Sequence, residues 1–322
     1  MNKLWWCFWS CSALGLIACG GDDEASCDEP GHACTWLGLP GESGFNGDGK
    51  DRLETKMYWS MDMTFGPDGT PWFIDWNNHM VRRVLPDQTV ETVLGWTDPP
   101  FPGDGGPGET MPGGALGTEV QLNHPTDLAI DTDGTVLVMA WHNHKLRRLD
   151  PMTLFVSIEC GAVAAVAGAG VQGDRSSQGD GGPALMANLN LEAGSNPEPS
   201  GGLALDGTRL YFADTLANRI RVIDLASDPP TIDAYAGTGE TGLSGDGGPA
   251  LAATLYHPRD LEIGPDGDLY VADTDNSVIR AISAGPPSPW LERSPCTPVP
   301  AMVLIMPAAS ISRMRQFCWS MM

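Results

Sequence analysis

Most of the chain alternates short runs of apolar and polar positions with Asp-Gly or Gly-Pro turns. This is the pattern of antiparallel strands joined by tight hairpins. The clearest passage runs Leu261-Glu262-Ile263, then Gly264-Pro265-Asp266-Gly267, then Leu269-Tyr270-Val271-Ala272-Asp273. It closes on Val278-Ile279-Arg280-Ala281-Ile282. Related passages lie upstream. Asp206-Gly207 leads into Leu210-Tyr211-Phe212-Ala213-Asp214 and then Asn218-Arg219-Ile220-Arg221. Asp133-Gly134 leads into Val136-Leu137-Val138-Met139-Ala140 and then Asn143-His144-Lys145-Leu146-Arg147. Asp68-Gly69 leads into Trp72-Phe73-Ile74-Asp75 and then Asn78-His79-Met80-Val81-Arg82. Each copy holds three strands, and a fourth is predicted at Thr89–Leu94, residues 162–167 and residues 232–236. The Asp-Gly pairs supply the positive φ that a tight turn requires.

A second motif punctuates the copies. Gly-Asp-Gly-Gly-Pro starts at Gly103, Gly179 and Gly245, and a degenerate form reads Gly47-Asp48-Gly49-Lys50. The repeat is about 55–75 residues long, within reach of a propeller blade. Four antiparallel strands cannot bury both faces alone, so such units stack radially. The predicted fold is all-β: a β-propeller of four-stranded antiparallel blades over residues 45–284, with about four blades legible. The string from Leu269 to Arg280, preceded by Asp266-Gly267 and by Pro258-Arg259-Asp260-Leu261, resembles the NHL repeat. The third and fourth copies match it well and the first two more loosely. Ala140 stands where the others carry Asp75, Asp214 and Asp273. The resemblance implies a propeller that is commonly six-bladed in the family, so four copies leave it incomplete.

Composition narrows the partners. The chain has 322 residues, with 40 glycines and 27 prolines, which favours short strands over long helices. Its 41 acidic side chains against 18 Lys and Arg give a formal charge of −23. So few cations argue against nucleic acid as a partner.

The N-terminus differs from the rest. Lys3 is followed by an apolar run over residues 4–18, too short to span a bilayer comfortably but suited to a secretory signal. Leu16-Ile17-Ala18-Cys19, followed by Gly20-Gly21-Asp22-Asp23, resembles the lipobox of bacterial lipoproteins. The resemblance implies that residues 1–18 are a signal peptide and that Cys19 is a lipid anchor. It places the protein exported and held at the membrane of the cell envelope. Residues 19–44 then read as an acidic tether. Cys27 and Cys34 flank a Pro-Gly turn and form a candidate disulfide; two free thiols, or a metal site with His32, are the alternatives. Cys160 reads as a buried small hydrophobe.

Residues 285–322 break the pattern, with seven Pro, five Met and a single acid, Glu292. Repeat, acidity and glycine are lost together. This points to a shifted reading frame, with a genuine Pro-rich terminus as the alternative.

The recurring Arg82, Arg147, Arg221 and Arg280 read as ion-pair partners for acids on the adjoining blade. Asp48, Asp104, Asp180 and Asp246 are candidate calcium ligands, but one carboxylate per loop is thin for calcium, and a self-stabilised turn is simpler. His124 and His257 both precede Pro at the start of an innermost strand, with His79, His142 and His144 at blade edges. Trp59-Ser60 and Pro199-Ser200 take the His-Pro place elsewhere, so a channel zinc site is incomplete. No catalytic residue, cofactor or metal ligand is assigned. The reading is a binding module for a protein, peptide or glycan. A metal-assisted lyase or lactonase-like hydrolase and a passive envelope scaffold are the alternatives.

Overall fold

The computed structural model describes residues 33–95, 115–120, 122–152, 154–160, 178–191 and 199–284. The chain divides into two units, Met1–Trp36 and Leu37–Met322. In the first, Cys34 is disulfide-bonded, while Cys19 and Cys27 lie outside the described residues. Among the described residues, the sheets lie in the second unit.

The first sheet contains β1 (Lys50–Asp51), β2 (Ser60–Phe65), β3 (Pro71–Asp75), β4 (Met80–Val84) and β5 (Thr89–Leu94). The second contains β6 (Ala115–Leu116), β7 (Pro125–Ile130), β8 (Val136–Ala140), β9 (Lys145–Leu149) and β10 (Phe155–Cys160). In the third are β11 (Gly182–Pro183), β12 (Leu203–Asp206), β13 (Arg209–Asp214), β14 (Arg219–Asp224) and β15 (Thr231–Ala236). The fourth shows β16 (Pro258–Ile263), β17 (Leu269–Asp273) and β18 (Val278–Ile282). Strands β2–β5, β7–β10, β12–β15 and β16–β18 pair antiparallel in sequence order, and β1, β6 and β11 lie beside β5, β10 and β15. The innermost strands of successive sheets, β2, β7, β12 and β16, pack against one another in turn. This is the radial stacking of a β-propeller. Among the described residues that succession runs from β2 to β16 without closing, so four blades form an incomplete propeller.

Strand β13 shows why the blades must stack. Leu210 and Phe212 join the core shared with the second sheet, which includes Leu137, Met139 and Leu189. Tyr211 and Ala213, on the opposite face, join Leu261, Leu269 and Val271 of the fourth sheet. Successive side chains alternate across a strand, so a strand apolar at every position needs a neighbour on both sides. Each fully buried Leu or Phe contributes about 1.5–3 kcal/mol relative to exposure.

Carboxylates also join the innermost strands. Asp62 accepts the Leu128 N–H at 3.0 Å, and Asp127 accepts the Leu203 N–H at 2.6 Å. Gly202 occupies the corresponding place in the third blade. A Cβ there would lie 2.6 Å from the Asp260 Cα, closer than real contacts allow.

Two sequence expectations need correction. The first three sheets have five strands, because a two-residue strand from the segment before each blade (β1, β6, β11) covers that blade's outer edge. In the second blade the outer strand is Phe155–Cys160, while residues 162–167 lie outside the described set. A turn after β9 places this strand early. The Leu154 N–H donates to the Asp150 carbonyl at 2.8 Å, so the chain reverses at once into the alternating sequence Phe-Val-Ser-Ile-Glu-Cys. The opening glycine of the Gly-Asp-Gly-Gly motif has a steric role here. At Gly245, with φ of +93°, a Cβ would stand 2.5 Å from the Ala253 Cα. Gly179 is held against Ala187 in the same way.

Candidate functional site

In every blade the second strand ends in one turn of 3-10 helix: Trp76–Asn78, Trp141–Asn143, Thr215–Ala217 and Thr274–Asn276. Each turn closes on a left-handed residue, His79, His144, Asn218 or Ser277. The turn also bonds to the segment entering the innermost strand. Asn77 N–H donates to the Tyr58 carbonyl at 3.0 Å, His142 to Asn123 at 3.2 Å and Asp275 to Tyr256 at 3.1 Å. Both segments of each blade therefore meet at the same end of the sheets. In the third blade the matching bond runs from Leu216 to Asn190.

A repeated ion-pair unit braces the rim. Asp75, fully buried, accepts from the Tyr58 N–H at 2.8 Å, from Asn78 Nδ2 at 2.9 Å and from Arg82 at 3.2 Å. Desolvation raises the Asp75 carboxyl above its ordinary pKa. Arg82 also lies 3.4 Å from Asp48 of the Gly-Asp-Gly segment. Arg221 repeats this with Asp214 at 3.4 Å and Asp180 at 2.6 Å. Arg280 does so with Asp273 at 3.9 Å and Asp246 at 2.5 Å. The arginines thus pair with acids of their own blade, correcting the expectation of pairs with the adjoining one. The reason is register: the Arg on the third strand lies beside the end of the second strand, under the segment that wraps that blade's outer edge. The three described loop carboxylates face guanidinium groups. Asp104 lies outside the described residues.

The second blade departs from this unit. Ala140 supplies no carboxylate, and Asn143 takes over one of its functions by accepting the Asn123 N–H at 2.9 Å. Arg147 is fully buried, and its guanidinium nitrogens have no hydrogen-bond partner among the described residues. Desolvation lowers its pKa to about 10.

What differs between blades is the side chain that enters the innermost strand. Trp59, His124 and His257 all adopt left-handed backbone, with φ of 58°, 48° and 45°. Bulky residues rarely pay for that conformation without a reason in the surrounding structure. His257 Nδ1 bonds to Asp275 at 2.7 Å. Trp59 is 65% exposed, yet its indole stacks on Trp76 with centroids 5.6 Å apart and planes 19° apart. Trp76 in turn lies 6.2 Å from Trp141 at 21° and 4.3 Å from the His124 ring. Three nearly parallel indoles thus run from the surface inward across the seam of the first two blades.

Histidines complete the seam. The His124 backbone N–H donates to His79 Nδ1 at 3.0 Å, so the proton of neutral His79 sits on Nε2. His124 Nδ1 lies 2.9 Å from His142 Nδ1, and His124 Nε2 lies 3.2 Å from Asn77 Oδ1. Burial, then the neighbouring His79 and His142, lower the His124 pKa to about 3, so the ring is neutral. With Asn77 oriented as assigned, His124 donates from Nε2 and accepts at Nδ1 from His142. Asn77 then keeps its amide donors for other partners. The Nδ1 atoms of all three histidines face hydrogen-bond partners, a network rather than a converging ligand set. Among the described residues no group of three or more His, Cys, Asp or Glu side chains is arranged to hold a metal ion. His144 stands apart: its buried Nδ1 has no partner among the described residues, and burial lowers its pKa.

The sequence flagged these histidines singly. It did not show that His79, His124 and His142 meet, because they come from two blades and only the stacking joins them. The Trp76 and Trp141 pair was missed as well. Its signal was present as a Trp at the same place in the first two repeats.

No protein-family model matches the chain. Teneurin-1 of Mus musculus is 27% identical over 267 residues, covering 76% of this chain and 9% of that protein. An auxiliary nutrient binding protein from Bacteroides thetaiotaomicron superposes with a TM-score of 0.46 at 15% identity, over 71% of this chain and 49% of that one. Virginiamycin B lyase from Staphylococcus aureus gives 0.38 at 15% identity, over 70% and 52%. The chain spans 9% of the length of the curated relative, and its likeness to the two solved proteins is one of fold alone.

Proposed function

We propose that the protein is a binding module of the bacterial cell envelope, tethered by lipid at Cys19, that recognises a protein, peptide or glycan through the end of the propeller bearing Trp59. The observation that carries this reading is the exposed Trp59 indole, held in left-handed backbone and backed by Trp76. A tryptophan fixed in place before its ligand arrives loses little entropy on binding, and aromatic anchors dominate recognition surfaces. In this reading the mechanism is recognition without bond chemistry. Propellers host many activities, so the rim and not the fold carries this reading.

Two experiments test the proposal. Wild-type protein and Trp59→Ala are screened on arrays of oligosaccharides and peptides. Binding by the wild type that the variant loses supports the reading; binding that the variant retains places recognition elsewhere. For the anchor, Cys19→Ser releases the protein into the soluble fraction; retention on membranes contradicts lipid attachment.

A further inference from the structure

The rim also points to a ligand class, an inference that rests on the binding reading above. We infer that the Trp59 face binds the pyranose ring of a neutral glycan, with Asn77 hydrogen-bonding the sugar's hydroxyls.

Three observations converge. First, the platform is a flat indole with a single flanking ring. One face of Trp59 is occupied by Trp76, which is itself stacked on Trp141, and Tyr58 stands edge-on beside it, centroids 6.1 Å apart at 71°, so the open face has one wall and is not enclosed by aromatic rings. A sugar ring presents an apolar C–H face to such a plane and hydroxyls at its edge. A quaternary ammonium prefers several aromatic faces around it. Second, the exposed large apolar residues within two positions before an innermost strand are aromatic, Tyr58 and Trp59 before β2 and Tyr256 before β16. Aromatic groups with polar edges suit an amphipathic ligand, whereas a peptide's aliphatic anchors would need an aliphatic pocket. Third, two polar groups beside the stack, Asn77 and His124, are uncharged. Asn77 Oδ1 is engaged by His124, which leaves the Asn77 amide donors for a hydroxyl oxygen. Burial keeps His124 uncharged, and the chain's charge of −23 disfavours an anionic polysaccharide.

The test is calorimetric and fluorescence titration of the purified protein with cellohexaose, laminarihexaose, xylohexaose and chitohexaose. Oligogalacturonate, choline and a proline-rich peptide serve as rivals. At least one neutral oligosaccharide is expected to bind and to change the tryptophan emission. Trp59→Ala weakens that binding by about tenfold or more, while Trp59→Tyr, which keeps an aromatic face, retains most of it. Circular dichroism of each variant confirms that the sheets are intact. Failure of all four neutral oligosaccharides overturns the inference. If choline or the peptide instead binds in a Trp59-dependent way, the recognition face stands and the glycan assignment falls. If a neutral oligosaccharide binds equally well to Trp59→Ala, the face itself has been misplaced.

Discussion

Asn143 Oδ1 accepts the Asn123 N–H at 2.9 Å, in the place where Asp75 Oδ1 accepts the Tyr58 N–H at 2.8 Å. The second blade has therefore replaced one function of the missing aspartate and not the other. Its backbone donor is satisfied, while its buried arginine has no hydrogen-bond partner among the described residues. Removing one member of a buried ion pair costs about 3–5 kcal/mol because it strands the other charge, whereas even a whole buried pair replaced by apolar chains is often neutral or stabilising, so removing a charge that has no partner strands nothing. Arg82→Met should therefore lower the denaturation midpoint substantially, and Arg147→Met should leave it unchanged or raise it. Ala140→Asp, which restores the carboxylate of the other three blades, should raise it too. Equal losses for the two arginine variants would show that Arg147 is paired as Arg82 is.

His124 makes stability depend on pH in one direction. Its folded pKa is lowered from 6.5 to about 3, so between those values the unfolded chain binds more protons than the folded one. Stability must therefore fall as pH falls through that window. Urea midpoints at about pH 7 and about pH 4 should differ more for the wild type than for His124→Asn, which cannot take up the proton. Identical pH slopes would mean that His124 is accessible to protons in the folded state.

Asp127 works with the opposite sign. Burial first, then Asp62 and Asp260, raise its pKa well above 3.8, so the folded chain holds a proton that the unfolded chain gives up. The stabilisation from this group is present below its ordinary value and lost as pH rises through the folded value. Asp127→Asn keeps an oxygen for the Leu203 N–H and removes the charge. It should stabilise the protein at about pH 8 and do so less at about pH 4. A variant destabilised equally at both would show that the ionised form is well accommodated.

Much of the fold is legible from local pattern. The hairpins at Asp68-Gly69, Asp133-Gly134, Asp206-Gly207 and Asp266-Gly267 follow from residues adjacent in sequence, and all four glycines have positive φ. Radial stacking follows from strands such as β13, apolar on both faces. Features joining distant segments were harder to read. The sequence marks Asp180 and Arg221 as recurrent, but only the wrap of the Gly-Asp-Gly segment around its own blade shows that they pair. The outer strand of the second blade was misplaced because an alanine-rich run resembles a buried strand, whereas the turn at Asp150 starts the strand sooner. The site was least legible. His79, His124 and His142 are assembled by the seam between two blades, and no spacing within one repeat encodes that seam.

The central claim is that recognition takes place at the end of the propeller where the innermost strands begin. Strand β2 carries an exposed aromatic residue at each end: Trp59 just before it and Phe65 as its last residue. Binding of Trp59→Ala and Phe65→Ala to the ligands found with the wild type, measured side by side by calorimetry, tests the claim within one strand. The account predicts that Trp59→Ala loses binding and Phe65→Ala keeps it; loss confined to Phe65→Ala would contradict it.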